Sequence, residues 1–232
     1  MIFGGLQKSS LIDYPGKLSS VIFLSGCNFD CPYCHNPGLA KGCPGDCQDP
    51  VPDWIFNFLE TRKGFLDGVV ISGGEPTLQG DLADLCARIK KLGYPVKLDT
   101  NGSRPSALRH LIVEGLVDYI AMDLKTDPLN YSLFVKKDYD PQPILASIQT
   151  IMKSDVDYEF RTTCVKPLVT SRIVENIARL IQGAELYALQ RFRHTDVLHP
   201  EFFEEHHSDY NGDELAYLKG YAQKWVKRCI VR

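Results

Sequence analysis

Residues 68–102 read GVVISGGEPTLQGDLADLCARIKKLGYPVKLDTNG. The stretch opens on a short apolar run rich in β-branched residues (68–72). It continues through Leu82, Leu85, Ile89 and Leu92 at three- and four-residue steps, with Lys90 and Lys91 on other faces. Gly93 then stops the helical pattern, and a second apolar run follows at 96–100. Two strands buried on both faces, separated by one amphipathic helix, predict a parallel strand–helix–strand unit.

The same alternation extends in both directions. Further strands are predicted at 20–25, 119–124, 158–165 and 185–190. Helical periods run through Leu108, Leu111 and Ile112 before Gly115, through Ile144, Ile148, Ile151 and Met152, and through Ile173, Ile177, Leu180 and Ile181. About six strand–helix units result, which suits either an open doubly wound sheet or a partial barrel; periodicity does not choose between them. With no low-complexity segment or long linker, residues 1–232 are expected to form one domain. A final helix is expected over 213–231, carrying Leu215, Leu218, Tyr221, Trp225 and Val226.

The 232 residues carry a net charge of -3, with Lys and Arg dispersed among Asp and Glu. No basic stripe for nucleic acid is visible. No apolar run is long enough to span a bilayer, and the N-terminus lacks a secretion pattern, so a cytoplasmic protein without a membrane partner is expected. Five of the eight cysteines fall between Cys27 and Cys47. In a reducing compartment such crowding points to metal binding or catalysis rather than a disulfide scaffold.

Cys27, Cys31 and Cys34 form a C-x3-C-x2-C motif directly after the first predicted strand, where α/β folds place their sites. Thiolates suit zinc or an iron–sulfur cluster. Three thiolates on a 4Fe–4S cluster leave one iron open to a ligand, which turns an electron carrier into a catalyst. A zinc site completed by His35, Cys43 or Cys47 is the alternative. Cys43 and Cys47 also suit a plain loop or a disulfide. Cys86 and Cys164 fit a helix and a strand as inert core residues, Cys229 has no partner in sequence, and His206 and His207 read as solvated.

Other polar groups gather at the ends of the following strands. Gly73-Gly74-Glu75-Pro76 ends the second, with glycines that permit close backbone approach and a carboxylate that accepts hydrogen bonds from an amine. Asp99-Thr100-Asn101-Gly102 ends the third. Asp123 and Lys125 project to one side at the end of the fourth, and buried charges there need partners. Arg161 and Thr163 lie in the fifth, Arg161 suited to a carboxylate partner, and Gln190 closes the sixth.

The cysteine motif with Tyr33, followed one strand later by Gly-Gly-Glu-Pro, resembles the radical S-adenosylmethionine superfamily. The resemblance implies a partial (β/α)6 barrel, a 4Fe–4S cluster on Cys27, Cys31 and Cys34, and S-adenosylmethionine bound through its amino and carboxylate groups to the open iron. Reductive cleavage would yield methionine and a 5′-deoxyadenosyl radical. Cluster and cofactor then carry the chemistry, and no protein side chain is expected to be catalytic. Cofactor contacts are implied for Tyr33, Gly73, Gly74, Glu75, Asp99, Thr100, Asn101, Asp123, Lys125, Arg161, Thr163 and Gln190. Gly73–Glu75 would meet the amino group and Lys125 the carboxylate, with a monovalent cation near Asp99, Thr100 and Asp123.

Residues 10–16 (SLIDYPG), Cys34-His35-Asn36-Pro37 and the LDTNG and AMDLK segments are similar to the activating enzymes of glycyl radical proteins. The likeness is greatest to the anaerobic ribonucleoside-triphosphate reductase activating proteins. It implies hydrogen abstraction from a backbone glycine of a partner, an anaerobic ribonucleotide reductase, with a flavodoxin or ferredoxin as electron donor. A radical enzyme acting on a small molecule or peptide is the second reading. A non-catalytic iron–sulfur or zinc protein is the third.

Overall fold

The computed structural model describes residues 1–42, 51–135, 139–193, 196–204 and 208–232. Cys43, Cys47, His206 and His207 lie outside the described residues. The elements run β1 (Phe3–Tyr14), β2 (Lys17–Leu24), α1 (Pro37–Ala40), α2 (Asp53–Thr61), β3 (Gly68–Gly73), α3 (Leu82–Lys91), β4 (Val96–Thr100) and α4 (Pro105–Val113). They continue β5 (Tyr119–Asp123), α5 (Gln142–Met152), β6 (Asp157–Cys164), α6 (Ser171–Leu180), β7 (Tyr187–Arg191), α7 (Gly212–Ala222) and β8 (Cys229–Val231). All eight strands form one sheet in sequence order, parallel from β2 to β8, with β1 antiparallel to β2. β1 and β8 are the edge strands of this sheet among the described residues.

The six predicted strands are β2 to β7, and their sequences explain their two faces. Along β4, Val96 and Leu98 point one way and are fully buried with Leu82, Leu85, Cys86 and Ile89 of α3 in the main hydrophobic core. Each such aliphatic side chain removed from water contributes about 1.5–3 kcal/mol. Lys97 and Asp99 alternate onto the opposite, inner face. Parallel register then lines up inner-face neighbours: Asp99 beside Ala121, Asp123 beside Arg161, and Thr163 beside Gln190. The apolar face packs under the helices, and polar side chains collect inside the sheet's curve.

Both ends of the chain depart from expectation. Residues 3–14 form a long strand whose middle, Gln7 to Ser9, is exposed. β1 is held by backbone pairing to β2, with register shifts along it, so it carries no burial pattern to read. The helix expected over 213–231 stops at Ala222. The chain turns, the Trp225 carbonyl oxygen accepts from the Gly183 N–H at 2.8 Å, and Cys229–Val231 pairs with β7 instead. Cys86, Cys164 and Cys229 are buried free thiols, the first two in the core as expected. No helix among the described residues is long and apolar enough to cross a membrane.

Candidate active site

The loop from β2 to α1 carries the three cysteines, and the loop after β3 braces its start. The Gly74 and Glu75 N–H groups donate to the carbonyl oxygens of Leu24 and Gly26, each at 2.8 Å. A Cβ on Gly73 (φ +117°) would lie 2.2 Å from the Leu24 carbonyl oxygen, and one on Gly74 would lie 2.1 Å from that of Gly26. These glycines therefore serve a contact between two backbones as well as lining the site.

Glu75 has a different place from the one expected. It is 1 % exposed and does not line the cavity. Its Oε1 accepts from the Thr77 N–H at 3.1 Å and from the Thr77 and Thr100 hydroxyls; its Oε2 accepts from the Asn101 N–H at 2.6 Å. Burial raises its carboxyl above the usual range, although these hydrogen bonds oppose the shift. Glu75 is thus a strap between the loops after β3 and β4. From there Asn101 Nδ2 donates to Asn28 Oδ1 at 3.0 Å, extending the strap to the cysteine loop.

One cavity of about 350 Å³ collects the remaining expected residues. Its walls include Cys27, Cys31, Tyr33, Cys34, Gly73, Gly74, Asp99, Thr100, Asn101, Asp123, Lys125, Arg161, Thr163 and Gln190. Burial pushes the Cys27 thiol up to about 11 and the Cys31 thiol up to about 12. Tyr33 is buried between Phe134 and Phe192, and its hydroxyl donates to the Lys125 carbonyl oxygen at 3.4 Å. His35 also lines this cavity; its ring stacks on Phe192, and Nε2–H donates to the Arg193 carbonyl oxygen at 3.0 Å. Among the described residues no group of three His, Cys, Asp or Glu side chains is placed to hold a single metal ion.

The same cavity is lined by a chain of charges. Lys125 Nζ donates to Asp123 Oδ2 at 3.0 Å, and Arg161 Nε to Asp123 Oδ1 at 2.8 Å. Arg161 Nη1 also reaches Asp99 Oδ1 at 3.4 Å, the same oxygen that accepts from Lys97 Nζ. Ser72 Oγ donates to Asp99 Oδ2 at 3.0 Å. Burial alone would raise both carboxyls. For Asp99 the cations Arg161 and Lys97 more than offset it, and for Asp123 Arg161 and Lys125 do, so both sit below the usual aspartate range. The acidic pair expected beside a monovalent cation is therefore already neutralised by the protein's own side chains.

Lys97 and Ser72 were missed from the sequence. The signal was present: in Val96-Lys97-Leu98-Asp99, alternation puts the lysine on the face of Asp99.

The Radical SAM superfamily model matches residues 21–181, which span these cysteines and the loops after β3, β4 and β5. The chain belongs to the Radical SAM superfamily. A Methanocaldococcus jannaschii protein that carries the name glycyl-radical enzyme activating enzyme is 39% identical over 236 residues, covering 100% of this chain and 95% of that protein. Pyruvate formate-lyase-activating enzyme of Clostridium pasteurianum is 29% identical over 125 residues, covering 52% of this chain and 50% of the enzyme. Among solved structures, Streptococcus suis SuiB bound to precursor peptide SuiA superposes with a TM-score of 0.68 at 14% identity, over 91% of this chain and 48% of that one. That likeness shows the fold, and this chain spans about half of SuiB.

Radical SAM enzymes use a 4Fe–4S cluster and S-adenosylmethionine. The donor set of this radical SAM chain fits both. Three thiols line one cavity, and three thiolates on a 4Fe–4S cluster would leave one iron open. The paired charges, three cations and two carboxylates, carry one positive charge among themselves, and Asp13 adds a carboxylate elsewhere on the cavity wall.

Proposed function

We propose that this chain activates a glycyl radical enzyme, with anaerobic ribonucleotide reductase as the partner. The observation that carries the reading is the cavity itself: three thiols line it together with the paired charges of Asp99, Asp123, Lys125 and Arg161. The full-length similarity to a protein named for glycyl radical enzyme activation supports the partner class.

When bound, the cluster and S-adenosylmethionine supply one-electron cleavage of the sulfonium and a hydrogen-abstracting adenosyl radical. The protein's residues position and protect. Cys27, Cys31 and Cys34 hold the cluster as thiolates, losing the protons that burial favours in the free thiols. Lys125 and Arg161 receive the cofactor's carboxylate. The carbonyl groups of the Gly73–Gly74 loop accept from its amine, while Glu75 keeps that loop in place. Tyr33 and its aromatic neighbours shield the wall beside the thiols.

A second cavity of about 700 Å³ adjoins the first through Asp13, Arg161 and Gln190, and includes residues from both β1 and β8. An extended segment of a partner protein can approach along this seam, which favours a protein substrate over a small molecule. A low-potential flavodoxin or ferredoxin would supply the electron.

The test is anaerobic incubation of the reconstituted protein with S-adenosylmethionine, reductant and an anaerobic ribonucleotide reductase from the same genome. An electron paramagnetic resonance doublet that collapses on α-deuteration of glycine is the expected outcome. Cofactor cleavage without a radical on the partner would move the reading to a small-molecule or peptide substrate.

A further inference from the structure

Lys97 has 0 % of its surface exposed, so its ammonium is cut off from water at the floor of the site. It lies two residues before Asp99 on the inner face of β4, below the cavity rather than on its wall, and its Nζ donates to Asp99 Oδ1. A buried lysine is retained only where a carboxylate compensates it. Here the compensation is incomplete. Asp99 also takes Arg161, and Asp123 takes Arg161 and Lys125. Counted by themselves these five groups carry one positive charge, and without Lys97 none; Asp13 stands on the cavity wall outside these pairs.

We propose that Lys97 is the built-in counter-cation of the cofactor's carboxylate subsite. It is a positioning residue: it compensates the Asp99 charge from below, so that Arg161 and Lys125 together have Asp123 left to neutralise and one positive charge over for the cofactor's carboxylate. A dissociable monovalent cation beside Asp99 and Asp123 then has no charge left to neutralise, and the site works without one. The proposal rests on the reading that S-adenosylmethionine places its carboxylate on this floor.

The test is equilibrium dialysis of labelled S-adenosylmethionine against the anaerobically reconstituted protein. Buffers of equal ionic strength contain sodium, potassium or tetramethylammonium, which is too large for a buried site. The wild type is expected to bind equally in all three. Lys97→Met is expected to bind about tenfold or more weakly in tetramethylammonium, as loss of one charge at short range in a partly buried site requires. Sodium or potassium should restore most of that affinity, because a small cation can enter beside Asp99. The double variant Lys97→Met/Asp99→Asn regains the single positive charge and is expected to bind in tetramethylammonium without rescue. It also serves if the single variant does not fold.

A wild type that needs sodium or potassium would overturn the proposal. So would a Lys97→Met protein with intact cluster absorbance that binds equally weakly in every salt, since that marks a purely structural lysine. A double variant that binds no better than Lys97→Met in tetramethylammonium would overturn it too. Wild-type protein with a loaded cluster that binds no S-adenosylmethionine in any salt would instead bring down the cofactor reading, and this inference with it.

Discussion

Asp123 and Arg161 are register partners on the adjacent parallel strands β5 and β6, and Arg161 Nε donates to Asp123 Oδ1 at 2.8 Å. A direct pairing on the inner face lets one guanidinium serve two carboxylates, because Nη1 still reaches Asp99.

The pairing implies a pH dependence of stability. Burial would raise the Asp123 carboxyl, but Arg161 and Lys125 hold it below the usual aspartate range. A depressed carboxyl contributes stability that is complete above its unfolded value, about 4, and is lost as pH falls below it. Urea midpoints of the apo-protein should therefore fall steeply below about pH 4, and Asp123→Asn should be less stable at neutral pH with a shallower acid limb. Parallel acid limbs for the two proteins would contradict this.

Glu75 is expected to matter first for architecture. Replacing it with Ala strands the N–H groups of Thr77 and Asn101 and two hydroxyls in a buried setting. The expected loss is roughly 3 kcal/mol, read from urea denaturation of the apo-protein. Glu75→Gln should lose less, since its carbonyl oxygen still accepts. Equal stability of Glu75→Ala and wild type would show that the strap carries no load.

The glycines of the same loop should separate by position. Gly74→Ala drives a methyl into the Gly26 carbonyl and should lower iron incorporation by displacing the cysteine loop. Gly80→Ala meets nothing within 4 Å and has no left-handed backbone, so it should load iron normally. Equal loading of the two variants would argue that the loop contact does not set the cysteine geometry.

Among the thiols, Cys31→Ala is expected to abolish both the cluster and cofactor cleavage. Cys86→Ala, in the core between α3 and the sheet, should keep both. Cleavage surviving in Cys31→Ala would refute the ligand assignment.

These expectations show which parts of the molecule were legible. β2 to β7 are covered on both faces, so burial writes itself into apolar runs such as Val69-Val70-Ile71. β1 is held by backbone bonds along an exposed stretch, and β8 is only three residues long, too short to interrupt the helical spacing of Leu215, Leu218 and Trp225. The cysteines and the strand-end loops were readable because their spacing is local. The strap of Glu75 depends on Thr100 and Asn101, some 25 residues away, and the service of Lys97 to Asp99 depends on what Arg161 already does. Both are facts of three-dimensional accounting that no local pattern states.

The most direct test of the central claim is anaerobic reconstitution with iron and sulfide, followed by dithionite and S-adenosylmethionine, with products separated by chromatography. Formation of 5′-deoxyadenosine and methionine in equal amounts is the expected result. A properly formed 4Fe–4S cluster that binds S-adenosylmethionine yet never cleaves it under strong reduction, with or without the partner protein, would contradict the account.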